Sequence, residues 1–255
     1  MVISDTNNIA AFLVDLDGTL LGRDEKIAPR VEETIRHLSK RLPVCIATGR
    51  EPGDALNFSR QLGLTTPQIC DNGALILDPI TGNQLWSAPI GQGNAKDVVD
   101  ALVSREAVIL ATHPGGTVTS PDEISRWSVT RVSTIDVVES FADELIAQFE
   151  AHPEIQAVKA YLPYNGLWAV NFTAKGVTKG TAAKRLGQIL SCEAAGMIAA
   201  GDSYNDMPMF EACGLNIAMK EAPDELKALA DYIAPSVDED GLAVAVEEFV
   251  LPMIS

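Results

Sequence analysis

Aromatic residues are scarce in this chain: Phe, Trp and Tyr together supply 5% of its 255 residues. Hydrophobic residues still reach 47%, so the core it can bury is mostly aliphatic, and the length suits one large domain or two modest ones. Positive charge is scarce too: 19 Lys and Arg stand against 35 Asp and Glu, a formal net charge of -16. Such a field repels nucleic acid and anionic membrane surfaces, and neither is expected as a partner. It would also repel a phosphorylated ligand unless a metal and local cations reverse its sign. No apolar run is long enough to span a membrane. Met1 to Asn8 shows no basic region followed by an apolar core, so no secretory signal is expected. The cysteines Cys45, Cys70, Cys192 and Cys213 form no C-x-x-C pair and no zinc-ligand spacing. Buried free thiols in a reducing, cytoplasmic compartment are the simpler expectation. No G-x-x-x-x-G-K-[ST] occurs, and Gly91-Gln92-Gly93-Asn94-Ala95-Lys96 lacks the third Gly of a dinucleotide fingerprint and reads as a turn.

What is present is an alternation of strands and helices. Ile9 to Val14 is a continuous apolar run and reads as a buried strand. Pro29 suits a first helical position, and Val31, Ile35, Leu38 and Leu42 recur at helical spacing, so a helix is predicted from Pro29 to Arg41. Pro43 to Ala47 is a second strand, Pro52 opens a helix that Gly63 stops, and Gln68 to Cys70 and Ala74 to Leu77 flank Asp71-Asn72-Gly73. This order predicts an α/β fold, a Rossmann-like parallel sheet with helices on both faces. The texture loosens after the turn formers Asp78 to Gly82. Helices at Asn94 to Ser104 and Glu139 to Glu150, strands at Ala107 to Ala111, Ala157 to Leu162 and Leu167 to Thr173, and a loop from His113 to Asp122 suggest an α+β insert over 81–176. The core then comprises 1–80 and 177–255. Its second half should hold a helix capped by Thr178 with Ala182, Leu186 and Ile189 facing inward, then strands at Met197 to Ala200 and Leu215 to Met219. Asn205 is a possible cap of a short helix between them, and Gly241 to Val250 should close the chain as a helix.

Asp15-Leu16-Asp17-Gly18-Thr19 stands at the exit of the first strand. Two acids there do little for folding, since like charges repel and resist burial. They suit a site that holds a divalent cation and attacks an electrophile. Ala47-Thr48-Gly49-Arg50, Thr178-Lys179-Gly180 and Gly201-Asp202-Ser203-Tyr204-Asn205-Asp206 complete a set. Ligands of open parallel sheets sit at the carboxyl ends of the strands, so Asp15, Asp17, Thr48, Asp202 and Asp206 can meet at one edge. Clustered carboxylates need positive charge, which Mg²⁺ supplies through oxygen ligands and Lys179 supplies from the chain itself. Thr48 and Gly49 offer a hydroxyl and backbone N–H groups to phosphate oxygens.

The four segments, in this order, resemble the motifs of the haloacid dehalogenase superfamily, and the insert together with Asp238-Glu239-Asp240-Gly241-Leu242-Ala243 is similar to its Cof-type phosphatases with a C2 cap. The resemblance covers nearly the whole chain. It implies that Asp15 is the nucleophile, Asp17 the general acid and base, Thr48 a phosphoryl ligand and Lys179 the group that orients Asp15. It further implies Mg²⁺ held by Asp15, Asp202 and the backbone carbonyl of Asp17, with Asp206 and Asn205 supporting the metal and phosphate, and Gly49 and Arg50 beside the phosphate. The acid at Asp17 separates the chain from dehalogenases, which lack it, and from P-type ATPases, which carry Thr there. The function implied is Mg²⁺-dependent hydrolysis of a small phosphorylated metabolite, such as a sugar phosphate, a phosphorylated cofactor or a phosphorylated small acid, by a monomer or homodimer. A phosphomutase and a non-catalytic phosphate-ligand-binding protein are the alternatives.

Within the insert, Arg126, Arg131, Lys159 and Lys175 are possible anion contacts, although each taken singly reads better as an ordinary surface cation. His37 and His152 read as surface residues, His113 as a loop residue, and Trp127 and Trp168 as packing.

Overall fold

The computed structural model describes residues 9–254 except 114, 125–126 and 163–164. Met1 to Asn8 and Arg126 therefore lie outside the described residues. The chain forms two units, Met1–Leu85 with Thr178–Ser255, and Trp86–Val177. No helix among the described residues is long and apolar enough to cross a membrane.

The first unit begins with β1 (Ala11–Val14), whose four residues are all buried. Pro29 opens α1 (Pro29–Leu38), which buries Val31, Thr34, Ile35 and Leu38. It ends earlier than the apolar spacing predicts, and Leu42 is buried from the turn that follows. Then come β2 (Val44–Ile46), α2 (Pro52–Leu62), which ends on the left-handed Gly63, and β3 (Gln68–Cys70). β4 (Leu75–Leu77) and β5 (Gln84–Ser87) join β3 in a three-stranded sheet. β5 was not expected, because Gln84 and Leu85 are exposed and the strand carries no apolar run.

The second unit starts with α3 (Gln92–Val103), capped by Gly91 at φ 93°. The Gly-Gln-Gly segment read as a turn is thus a helix start. β6 (Leu110–His113) pairs with β7 (Gly116–Val118), so the stretch expected to be a loop carries a tight antiparallel pair. β8 (Arg131–Val137), α4 (Glu139–Phe149), β9 (Ile155–Leu162) and β10 (Leu167–Ala174) follow. Arg131, Ser133 and Asp136 break the apolar run of β8 and hide it from a hydrophobicity reading. The sheet order is β7-β6-β8-β10-β9, with antiparallel pairing throughout. Val98 and Leu102 of α3, Leu145 and Phe149 of α4, and Val132, Val170 and Phe172 of the sheet share one aliphatic and aromatic core.

The chain re-enters the first unit at α5 (Lys179–Leu190). Thr178 caps it: its side chain accepts the Thr181 N–H, and the Thr181 hydroxyl accepts the Thr178 N–H. Ala182 and Leu186 are buried as expected, but Ile189 is exposed. β11 (Met197–Gly201), α6 (Met207–Ala212), β12 (Leu215–Met219), α7 (Asp224–Lys227) and β13 (Tyr232–Ala234) complete the alternation. The last helix, α8 (Gly241–Ala245), continues through a π-helical turn over Val246–Val250 and ends in α9 (Leu251–Met253). The main sheet is wholly parallel, in the order β13-β12-β11-β1-β2. Its continuous apolar strands, covered by helices, explain the all-buried pattern of β1, β2 and β11.

Candidate active site

Parallel pairing brings the chemistry to one edge. Val14 pairs with Ala200, and the Asp15 N–H donates to the Ala200 carbonyl at 2.9 Å. Asp15 therefore leaves β1 where Gly201 and Asp202 leave β11. On the other side Ala47 N–H donates to the Val14 carbonyl at 2.8 Å, and Thr48 N–H to that of Ile69 at 3.0 Å. This is the carboxyl edge of the sheet, where strand ends leave room for a ligand.

Lys179 is the first residue of α5, and its ammonium projects into this edge. Nζ donates to Asp15 Oδ1 at 2.6 Å and to Asp206 Oδ1 at 2.7 Å, and the side chain is 0% exposed. The other oxygen of Asp206 accepts the N–H groups of Asp202 and Ser203, each at 3.1 Å. Both Asp206 oxygens thus hold protein donors, and the residue ties Lys179 to the turn after β11. The helical turn there is capped by Ser203 and Asp206, not by Asn205. Asp15, Asp202 and Asp206 present carboxylate oxygens that all lie within 4.8 Å of one another. Gly18 makes room for this cluster: at φ +74°, it would carry a Cβ only 2.1 Å from Asp202 Oδ2.

Three acids surround one ammonium, and the charges do not balance. Burial, with help from Asp206 and Asp202, raises the Asp15 carboxyl well above the usual range against the pull of Lys179. Burial and Asp206 push Asp202 up to about 7. Burial opposes the Lys179 charge, yet Asp15 and Asp206 overcome it and hold the ammonium protonated above its ordinary pKa. The cluster is short of positive charge in a way that a hard cation with oxygen ligands would satisfy. Asp15 and Asp202 are the acids with oxygen positions left for it.

The remaining expected residues fall around this centre. Thr48 is fully buried, and its hydroxyl accepts the Arg50 N–H at 3.0 Å. Asp17 keeps its side chain out of the acid cluster. Arg50 Nε lies 3.1 and 3.0 Å from its two oxygens and Nη2 lies 2.6 Å from Oδ1, so Arg50 faces Asp17 and also Glu25 at 3.3 Å. Asn205 donates to Asn72 Oδ1 at 3.0 Å and accepts from the Ser203 hydroxyl at 2.5 Å. Asn72 is the neighbour that the motif reading left out. Its signal was a strand-ending Asp-Asn-Gly at the same sheet edge. In the second unit, Lys159 is engaged by Glu139 and Asp143 at 3.0 and 2.6 Å, and Lys175 by the His152 carbonyl at 3.0 Å. His113 and His152 each accept backbone N–H groups within their own turns.

The family model for haloacid dehalogenase-like hydrolases matches residues 12–246. The chain belongs to the haloacid dehalogenase-like hydrolases. The Phosphatase YwpJ of Bacillus subtilis is 28% identical to it, over 90% of this chain and 96% of its own. The Phosphoglycolate phosphatase of Archaeoglobus fulgidus is also 28% identical, over 93% and 95%. In fold, the chain superposes on the subclass IIB sugar phosphatase BT4131 with a TM-score of 0.76, at 21% identity over 94% of this chain and 99% of that one. The resemblance to Cof-type phosphatases is thus borne out, as is the α/β fold with a parallel sheet flanked by helices. This haloacid dehalogenase-like hydrolase is an enzyme of the phosphatase branch.

Proposed function

We propose that this hydrolase cleaves a small phosphomonoester through a covalent phosphoryl group on Asp15, with Mg²⁺ as its metal. The observation that carries the reading is the fully buried Lys179 ammonium, which grips Asp15 at 2.6 Å and Asp206 at 2.7 Å beside Asp202. An acid used only for packing would not be kept in a surplus of like charge. Mg²⁺ held by Asp15 and Asp202 would offset charge on the phosphoryl oxygens.

The chain's own residues divide the remaining work. Lys179 fixes the Asp15 carboxylate so that its other oxygen points at phosphorus. That oxygen forms a bond to phosphorus as the ester P–O bond breaks, and the departing oxygen takes the electron pair and a proton from Asp17. Water then attacks phosphorus, Asp17 takes its proton, and the bond to Asp15 breaks to free phosphate. The Thr48 hydroxyl and Gly49 N–H hold phosphoryl oxygens through both steps. Asp206 keeps Lys179 and the Asp202 backbone in place.

Two relatives named as phosphatases support a small phosphorylated substrate. The free thiols of Cys45, Cys70, Cys192 and Cys213 support a reducing, cytoplasmic compartment. The test is phosphate release from a panel of small esters with Mg²⁺, with EDTA, and with Asp15→Asn. Metal-dependent release that Asp15→Asn abolishes is expected. Release that survives the substitution would overturn the role of Asp15.

A further inference from the structure

β3 runs beside the outer edge of β2 without forming a regular ladder with it. Among the described residues the main sheet ends at β2, and Ala47 and Ile69 make an isolated parallel bridge. The backbone groups of successive residues in a strand point to opposite sides. Ala47 N–H faces β1, where it donates to the Val14 carbonyl, so Val44, Ile46 and Thr48 turn their N–H and C=O groups toward β3. Buried backbone groups need partners there.

The Gln68 side chain supplies the first of them. Its Oε1 accepts the Ile46 N–H at 2.7 Å, and its Nε2 donates to the Val44 carbonyl at 3.4 Å and to the Thr66 carbonyl. Gln68 is 0% exposed, and an amide buried among aliphatic side chains is costly unless its polar groups are paired. Both ends of this one are, so it stands in for a peptide group of the missing ladder. Beyond it the backbone takes over. Thr48 N–H donates to the Ile69 carbonyl at 3.0 Å, Asn72 N–H to the Thr48 carbonyl at 3.1 Å, and Asp71 N–H to the Arg50 carbonyl at 3.0 Å. The segment Thr48 to Arg50 is therefore strapped to Ile69 to Asn72, directly after the point where Gln68 grips β2. A slip of one residue between the two segments would turn Thr48 to the other side.

We propose that Gln68 is a positioning residue for phosphoryl binding: its amide pins β3 against β2, so that the backbone of Ile69 to Asn72 holds the Thr48 hydroxyl and the Gly49 N–H in place at the sheet edge. The inference deepens the phosphatase reading and rests on it for Thr48 and Gly49 as phosphoryl ligands. Asp15 and Asp202 follow β1 and β11, which pair with each other directly and not through β3. The seat of the metal should therefore not depend on Gln68, and the two halves of the site can be read apart.

The test compares two ligands without turnover. Mg²⁺ alone, and inorganic phosphate with MgCl₂ present, are titrated calorimetrically into the wild type, Gln68→Met and Leu38→Ala. Methionine keeps the unbranched shape and loses the amide. Leu38 is buried in α1, away from the sheet edge, and its truncation destabilises the same unit without touching β2 or β3. Melting curves set a temperature at which every variant is folded. A hydrogen bond to a charged oxygen is worth about tenfold or more in affinity. Gln68→Met should weaken phosphate binding by about that factor and leave Mg²⁺ affinity as in the wild type, and Leu38→Ala should change neither. Unchanged phosphate affinity in Gln68→Met would overturn the assignment. So would an equal loss of Mg²⁺ affinity, or a loss of phosphate affinity in Leu38→Ala as large as that in Gln68→Met, since either would make the effect one of general stability. A wild type that binds no phosphate would sink it as well. A wild type that binds phosphate but cleaves no ester overturns the hydrolytic reading alone and leaves the comparison of variants standing.

Discussion

Arg50 clamps Asp17 with two of its nitrogens, Nη2 at 2.6 Å from one oxygen and Nε at 3.0 Å from the other. The Asp17 side chain is 56% exposed and would otherwise sample several rotamers, whereas that of Arg50 is 22% exposed. The planar fork fixes the direction of the carboxylate as well as its charge partner. Asp17 also holds Arg50 charged above its ordinary range, chiefly through this hydrogen bonding.

Arg50→Ala should therefore act through the aim of Asp17. Alkyl phosphates need a proton on the departing oxygen, and general acid catalysis is worth about 10²- to 10⁴-fold. Loss of aim should remove part of that, about tenfold in kcat. p-Nitrophenyl phosphate releases an oxygen that needs no proton, so its kcat should fall much less. Arg50→Lys should rescue little, because an ammonium cannot make the fork. The ratio of alkyl to aryl kcat is the readout, and equal losses on both esters would refute the role.

Lys179 is a costly side chain to remove. Its ammonium is wholly buried between Asp15 and Asp206. Lys179→Met deletes the only cation in contact with those acids among the described residues and leaves buried like charges, a change that typically costs about 3 to 5 kcal/mol. Urea unfolding at neutral pH should show a loss of that order. Hydrolysis should fall at least 10²-fold, as when a preorganised donor to the reacting centre is removed. A stable, active Lys179→Met protein would contradict the geometry.

Legibility in the sequence followed burial. Strands buried on both faces, such as Ala11–Val14 and Met197–Gly201, announced themselves as apolar runs, and the parallel order followed from the helices between them. Acids at strand exits stood out because nothing in folding asks for them. Strands with one wet face did not show. Gln84–Ser87 and Arg131–Val137 mix polar with apolar residues, and Gly116–Val118 is only half-buried. Side-chain partnerships were equally hidden. No spacing rule couples Arg50 to Asp17, 33 residues away, or Asn205 to Asn72, 133 residues away. Those pairs exist only because separate strands end at one edge.

The acid surplus predicts how stability follows pH. Asp202 titrates near 3.8 when unperturbed and at about 7 in the folded cluster. Between those values the folded state holds a proton that the unfolded chain has lost. Its contribution is complete below about pH 4 and disappears as pH rises through 7. In EDTA, Asp202→Asn should melt above the wild type at pH 7.5, by roughly 5 °C for about 2 kcal/mol, and the difference should vanish near pH 4. Mg²⁺ needs deprotonated ligands, so the melting shift it gives the wild type should grow over the same interval. Thermal melts at pH 4, 5.5 and 7.5, with EDTA or MgCl₂, check both. A wild type as stable as Asp202→Asn at pH 7.5 without metal would mean that the cluster carries no surplus charge.

Gly18→Ala should separate the metal's seat from the rest of the fold. The new methyl would meet Asp202 Oδ2 at 2.1 Å, far inside van der Waals contact, and the backbone would be strained at φ +74°. The strain itself costs roughly 1–2 kcal/mol. The atoms met are all of the Asp202 side chain, so the clash is relieved when that side chain swings away. The protein should still fold, since α1, α5 and the parallel sheet lose no contact. Mg²⁺ affinity should drop by tenfold or more, on the scale of a displaced ligand shell. Calorimetric titration of Mg²⁺ into folded Gly18→Ala measures it, with circular dichroism to confirm the fold. Unchanged Mg²⁺ affinity would show that Asp202 is not a ligand.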